Sequence, residues 1–357
     1  MNRRGFLHLL GAACGSALAR AESSARHPLM EYPDGSGTWL PVSTRADWAL
    51  RRRAILAAMQ TMMGPVPGAE KRCPLDVQVR EEADAGTYVR RAITYASEPG
   101  SRVPAYLLIP KRLLSDPNAK SPAILCLHPT DNTVGCKVVV GLGGKEHRQY
   151  AAELAERGFV TLAPAYPLLA DYQPDLTGLG YVSGTMKAIW DNMRGLDLLD
   201  SLPFVQHDHY AAIGHSLGGH NSVYTAVFDD RIKAVVSSCG LDSFTDYKGG
   251  DITGWTSTRY MPRLAAFKGR SSETPFDFDE LLAALAPRPV MISAPLHDAN
   301  FRADSVDRIT TAARAVYALH GAPDALVVEH PDSEHDFPDT AREKAYAFLT
   351  KALRPAL

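Results

Sequence analysis

Short, wholly apolar runs alternate with amphipathic ones along most of this chain, and that alternation limits its folds more than any single residue does. "PAILCLHP", "FVTLAPAYP", "HYAAIGHS", "IKAVVSSCG", "RPVMISAPLHD" and "ALVVEHP" read as strands, the continuous apolar ones buried on both faces. Helical segments separate them: "EHRQYAAELAERG", the stretch after Ser216, about Ala303 to His320, and the C-terminus. In the longest, Met186, Ile189, Trp190, Met193, Leu196 and Leu199 recur at three- and four-residue steps before Pro203. Strand and helix repeated this often imply an α/β architecture, a mostly parallel doubly wound sheet with helices on both faces. Ligands bind such sheets at the carboxyl ends of the strands. "TYVRRAITYAS" and "VPAYLLIPK" add two earlier strands. Residues 45–64, "RADWALRRRAILAAMQTMMG", place Trp48, Ile55, Leu56 and Met59 on one helical stripe.

The chain has 357 residues, 45% of them hydrophobic, which suits one large domain with a small N-terminal annex. A formal net charge of −2 without a basic face gives no reason to expect nucleic acid. No apolar run reaches membrane-spanning length, so no stable membrane insertion is expected. The first residues carry paired Arg3 and Arg4, then Gly5-Phe6-Leu7, an apolar segment and Ala17-Leu18-Ala19. A charged region, a short apolar core and a small-residue cleavage site make an export signal, here of twin-arginine type. The expected location is periplasmic or secreted. Gly11 stands where a lipoprotein signal has leucine, which argues against a lipid anchor at Cys14. Cys73, Cys126, Cys136 and Cys239 show neither a Cys-x-x-Cys pair nor zinc spacing, so no metal or cofactor is expected. Cys126 and Cys239 fall in apolar runs and read as core thiols, while a Cys73–Cys136 bridge is compatible with export but not required.

Gly214-His215-Ser216-Leu217-Gly218 interrupts one strand–helix transition. A serine pinched between glycines fits a sharp turn that lifts its hydroxyl out of the sheet, where close neighbours must lack a bulky Cβ. The following helix aims its N-terminal N–H groups at an anion formed there. The pentapeptide is weak evidence alone. It gains force because "YAAIG" precedes it and a helical period follows.

A serine needs a base, and the base an orienting acid. Of twelve histidines, His335 in "PDSEHDFP" stands just past the last strand, where a loop returns side chains over the strand ends. His128 comes too early, His215 is expected to point to the other side of the elbow, and His297 and His330 adjoin strand ends. For the acid, Asp298 follows the strand "RPVMISAPLHD". Asp242 after "VVSSCG" and Glu334 beside His335 are the alternatives. The order Ser216, Asp298, His335 differs from those of chymotrypsin and subtilisin. An oxyanion hole needs two N–H donors. Leu217 follows the nucleophile. In the loop after "AILCL", Pro129 has no N–H, which leaves Thr130, with His128 ordering the loop. Residues 243–280 lack a period, leave a strand at the binding end and carry Trp255, Arg259 and Tyr260. They are expected to wall the substrate cavity, aromatic faces against sugar rings and Arg259 against a carboxylate.

"GHSLGG", "RPVMISAPLHD" and "DSEHDFP" resemble the α/β-hydrolase superfamily, in its dienelactone-hydrolase-like and acetyl-xylan-esterase-like branch. "GLGGKEHRQYAAELAERGFVTLAPAYP" and "WDNMRGLDLLDSLP" are similar to exported bacterial hydrolases of that branch. The resemblance runs from about residue 85 to the C-terminus. It implies an α/β-hydrolase fold and assigns Ser216 as nucleophile, His335 as base and Asp298 as its partner. Dienelactone hydrolases use cysteine, so their substrate is not carried over, and His-Pro-Thr in place of His-Gly-Gly-Gly speaks against a lipase. The expected organisation is a signal at 1–19, a helical extension at 20–84 and a catalytic domain at 85–357. The expected function is an exported serine esterase acting on a small-molecule or polysaccharide ester, an acetylated or methyl-esterified carbohydrate. A prolyl-oligopeptidase-like peptidase and an inactive binding protein on the same fold are the alternatives.

Overall fold

Nine strands hydrogen-bond into one sheet, in the order β11-β10-β9-β8-β6-β7-β5-β4-β3. The computed structural model describes residues 26–353; the export signal and Cys14 lie outside them. A hairpin of β1 (Glu31–Pro33) and β2 (Trp39–Pro41) leads into helix α1 (Arg45–Met63). Then come β3 (Gln78–Asp84), β4 (Tyr88–Glu98), β5 (Ser101–Pro110), α2 (Lys111–Ser115), β6 (Ser121–Leu127), α3 (Tyr150–Glu156) and β7 (Val160–Pro164). The second half runs α4 (Gly184–Asp200), β8 (Val205–His215), α5 (Leu217–Phe228), β9 (Ile232–Ser238), α6 (Phe278–Leu285), β10 (Val290–Ser293), α7 (Ala303–Leu319), β11 (Leu326–Glu329) and α8 (Asp339–Leu353). Strands β3, β4 and β5 pair antiparallel, as do β5 and β7, and the remaining strands are parallel. This is an α/β-hydrolase fold. The sheet takes in Gln78–Asp84, ahead of the boundary expected at 85, because their exposed alternating residues pair along β4.

The annex is tied to the body. Thr44 caps α1 in a capping box: Asp47 N–H donates to Thr44 Oγ1 at 3.1 Å, and Thr44 N–H to the Asp47 carboxylate at 2.8 Å. Arg51 makes a buried ion pair with Glu280 of α6, and Arg52 donates to the carbonyls of Ala284 and Val227. The helix expected from Glu146 starts only at Tyr150, since residues 141–149 hold Gly141, Gly143, Gly144 and His147 at positive φ. All four cysteines of the described residues are free, so the Cys73–Cys136 bridge is not formed. Among the described residues no helix is long and apolar enough to cross a membrane.

The topology makes the crevice. The chain goes from β6 to β7 on one side and then back to β8 on the other, so the loops leaving β6 and β8 diverge at the carboxyl edge. Strand β8 ends at His215 and α5 begins at Leu217, with Ser216 alone between them at φ 54°, ψ −119°. A Cβ on Gly214 would strike the backbone of Gly218, and one on Gly218 would strike the Leu127 carbonyl of β6. The glycines therefore let α5 lie directly on the strand ends. Gly218→Ala should lower the unfolding free energy by about 3 kcal/mol, because the clash is with backbone that cannot yield. Denaturant titration checks this, and a loss under about 1 kcal/mol would show that the helix has room to shift.

Candidate active site

Asp298 follows β10 and His335 follows β11, and the two meet above the sheet. His335 Nδ1 donates to Asp298 Oδ2 at 2.8 Å. The other oxygen, Oδ1, accepts the N–H groups of Asn300 (2.8 Å) and Phe301 (3.1 Å). Burial pushes the Asp298 carboxyl up, but the His335 bond, the charge of that ring and the two N–H groups outweigh it and leave the pKa below its ordinary value. Asp298 is thus a fixed anion that orients one imidazole. Ser216 and His335 line the same cleft, with Pro129, Thr130, Asp131, Lys145 and Arg148.

The other acids and histidines have other partners. Asp242 is fully buried, accepts the Arg302 N–H at 3.2 Å, and is pushed up to about 6 by burial. His297 bonds Asp332, and His330 bonds the Ala294 carbonyl and Asp307. His215 departs from expectation. It does not turn away from the elbow: it lines the Ser216 cleft, and its ring centroid lies 4.9 Å from that of His335. Burial, the largest cause, and the charge of Arg148 hold its pKa well below the ordinary value.

The loop after β6 is set by His128. Its Nδ1 donates to the Pro129 carbonyl at 2.7 Å, and its Nε2 accepts the Tyr166 N–H at 2.9 Å. That tautomer is neutral, and burial lowers its pKa to about 4. Thr130 then borders both sides of Ser216, with its hydroxyl 2.9 Å from that of Tyr260. Leu217 is buried on the second side.

That second side is a cleft of about 340 Å³ lined by Ser216, Leu217, His220, Tyr247, Trp255, Tyr260 and Phe301, among others. Two of the three expected wall residues, Trp255 and Tyr260, are there. Arg259 lines neither cleft; its carbonyl accepts the Tyr166 hydroxyl at 2.8 Å. Trp255 also packs within 6.0 Å, centroid to centroid, of His220, Phe244, Tyr247, Phe278 and Phe301. It belongs to core and wall together. Sequence reasoning missed the clamp on the histidine loop. Arg148, buried, donates to the His335 carbonyl at 3.2 Å and to Asp336 Oδ1 at 2.5 Å, while His147 Nδ1 donates to Asp336 Oδ2 at 2.7 Å. The acid next to His335 was the available signal.

The profile of the prolyl oligopeptidase family matches residues 146–354. YtaP of Bacillus subtilis (strain 168), described as a hydrolase, is 26% identical over 304 residues, covering 82% of this chain and 96% of its own. The 4-O-methyl-glucuronoyl methylesterase 1 of Wolfiporia cocos (strain MD-104) is 25% identical over 202 residues, 50% of this chain and 48% of its own. Among solved structures, a glucuronoyl esterase from Solibacter usitatus superposes with a TM-score of 0.70 at 18% identity, covering 94% of this chain and all of its own.

The two acids predict different phenotypes. Asp298→Asn should lower turnover of an ester substrate by about 10³–10⁴-fold, because the imidazole loses its orienting anion. Asp242→Asn should leave turnover near that of the parent and raise stability with a definite pH dependence. Burial raises the folded-state pKa of Asp242 from the ordinary carboxylate value of 3.8 to about 6. Its contribution is therefore fully present below about pH 4 and is lost as pH rises through 6. The variant should match the parent near pH 4 and exceed it by up to about 3 kcal/mol at pH 8. Denaturant unfolding at the two pH values checks the sign. A loss of turnover as large as that of Asp298→Asn would move the acid to Asp242.

Proposed function

The chain belongs to the prolyl oligopeptidase family and is a serine hydrolase of carboxylic esters; we propose that its ester is carried by a carbohydrate, as an acetyl or methyl ester. The observation that carries this reading is the Asp298–His335 bond facing Ser216 in a cleft whose other wall is aromatic. In the proposed mechanism Ser216 Oγ attacks the acyl carbon while His335 Nε2 takes its proton. The N–H groups of Leu217 and Thr130 hold the oxyanion, and Asp298 stays ionised beside the imidazolium. The C–O bond to the alcohol then breaks, and His335 gives that oxygen its proton. Water attacks the acyl-enzyme with His335 again as base, releasing the acid and restoring Ser216.

Trp255 and Tyr260 offer flat apolar faces of the kind that cover sugar rings. The Wolfiporia and Solibacter relatives are named for glucuronoyl esters, which favours a uronate methyl ester over an acetyl group. Among the described residues, the segment ahead of the family match forms a hairpin, α1 and strands of the same sheet, with no propeller. Export through residues 1–19 remains part of the proposal, with N-terminal sequencing of the periplasmic fraction as its check.

Ser216→Ala should lower ester turnover by about 10⁴–10⁶-fold with an unchanged unfolding midpoint. A serine-directed phosphonate should add to Ser216 and to no other serine. On a panel of methyl glucuronate, acetylated xylose, p-nitrophenyl acetate and prolyl peptides, the uronate ester should lead acetylated xylose by about tenfold or more in kcat/KM. Labelling at another serine would overturn the mechanism, and prolyl peptides ranking first would overturn the substrate class.

A further inference from the structure

Behind the elbow, three side chains of different elements converge: His215 at the end of β8, Cys239 just past β9 and His335 past β11. One ring nitrogen of each histidine and the Cys239 sulfur all lie within 4.8 Å of one another. The hydrogen bonds around them arrange the lone pairs. Ser238 Oγ donates toward Cys239 Sγ (3.7 Å), so its oxygen accepts from His215 Nδ1–H at 3.1 Å. The proton of His215 is then on Nδ1 and the lone pair on Nε2. That nitrogen is buried and has no hydrogen-bond partner among the described residues, though the residue is only 1% exposed. An unmet buried acceptor destabilises the fold unless a ligand satisfies it. His335 has its Nδ1 on Asp298, which leaves the lone pair on Nε2 of a ring that lines the Ser216 cleft. Cys239 is held at φ 47° with its thiol 3.2 Å from the Asp336 carbonyl.

We propose that His215, Cys239 and His335 form a binding site for a soft divalent cation, zinc above all, and that occupation of this site switches the hydrolase off. Two imidazoles and a thiolate are donors that zinc takes, with the fourth position open toward the cleft. Asp298 behind His335 supplies the carboxylate that orients a metal-ligating imidazole and raises its basicity. The charges balance: one thiolate and one carboxylate face the two positive charges of the ion. Zn–N and Zn–S bonds place ligand atoms about 3.5 Å apart, so atoms that all lie within 4.8 Å of one another need to close by no more than about 1.3 Å. Rotation about the side-chain torsions of His215 and Cys239 provides that movement. On binding, the thiol proton leaves Cys239 for solvent as the metal–sulfur bond forms, so one proton is released per ion. The ion then occupies the lone pair that would accept the Ser216 proton. Metal binding itself requires no turnover, so its tests stand apart from those of the proposed esterase.

The experiment has a direct and a functional arm. The purified enzyme, stripped with chelator, is titrated with zinc sulfate and separately with cobalt(II) chloride. Zinc X-ray absorption should find one sulfur and two imidazole nitrogens on the ion. Cobalt should give a thiolate charge-transfer band that saturates at one equivalent. Hydrolysis of p-nitrophenyl acetate should fall in step with occupancy and recover fully with chelator. Cys239→Ser, which keeps a donor to the Asp336 carbonyl, should hydrolyse the ester at the parent rate, lose the cobalt band and need at least about tenfold more zinc for half-inhibition. A metal shell without sulfur overturns the proposal. So does inhibition equal in parent and Cys239→Ser, or a parent enzyme that binds no zinc at one equivalent.

Discussion

The backbone at Ser216 is the constraint on which the rest of the site depends. A non-glycine residue at φ 54°, ψ −119° stores of order 1–3 kcal/mol and persists only where its surroundings over-determine it. Here they do. Ser216 N–H donates to the Ser238 carbonyl at 2.7 Å, and its own carbonyl accepts Gly219 N–H at 2.8 Å. The glycines bring α5 against β6 at Leu127 and against the Ser237–Gly240 turn past β9. One helix start is therefore wedged between two strand ends, and the loops leaving those strands are fixed relative to the serine. The Tyr150 hydroxyl of α3 bonds the Leu127 carbonyl that Gly218 approaches. Through that bond the outer layer of helices helps hold the elbow.

The same packing settles the charges. His128, His215 and His220 are all buried beside the serine, and desolvation is the largest cause of lowered pKa for each: about 4 for His128, well below the usual range for His215, about 3 for His220. All three are neutral at pH 7 and add no cation next to His335. Asp298 differs from them because its anion is met by three donors, and so it remains charged at the same depth. The charged groups that share the cleft with His335 are thus Asp131, Lys145 and Arg148. Arg148 is the buried cation nearby, and it is spent on Asp336 and the His335 carbonyl. It steadies the loop that carries His335.

Much of this was legible in the sequence, for identifiable reasons. The parallel half of the sheet announced itself because its strands are buried on both faces and read as continuous apolar runs, as in β6, where every residue is buried. Ser216, Asp298 and His335 were legible because each must follow a strand at the same edge, and chain order fixes which strand. Other features have no period to read. Strand β3 is exposed and polar, so its sequence falls in with the N-terminal extension and not with the sheet it joins. The start of α3 was set four residues early because "EHRQ" has helical composition, while three glycines and His147 at positive φ break the backbone before it. The direction of His215 depends on how the elbow twists, which adjacency to Ser216 does not reveal. Lys187, fully buried between Asp191 and Glu98, lies on a helix whose stripe looked purely apolar. Its partners are distant in sequence or hidden on the same face.

The segment between β9 and α6 shows how a chain with almost no regular structure makes a defined wall. It is built of short 3-10 turns, yet Phe244, Tyr247, Trp255 and Phe276 are buried. The rings of Phe244, Tyr247 and Trp255 lock onto Phe278 of α6 and onto Phe301, three residues after Asp298, and Phe276 packs on Phe244. Phe301 also donates its N–H to Asp298, and its ring lies 5.8 Å from that of His335. The aromatic cluster thus reaches from the cleft surface to Asp298 through one residue. A cleft wall of this kind is a face of the core, and its shape is fixed by the packing that stabilises the fold. Selection by such a wall works through complementarity already present before a ligand enters, and the cost of ordering it has been met in folding.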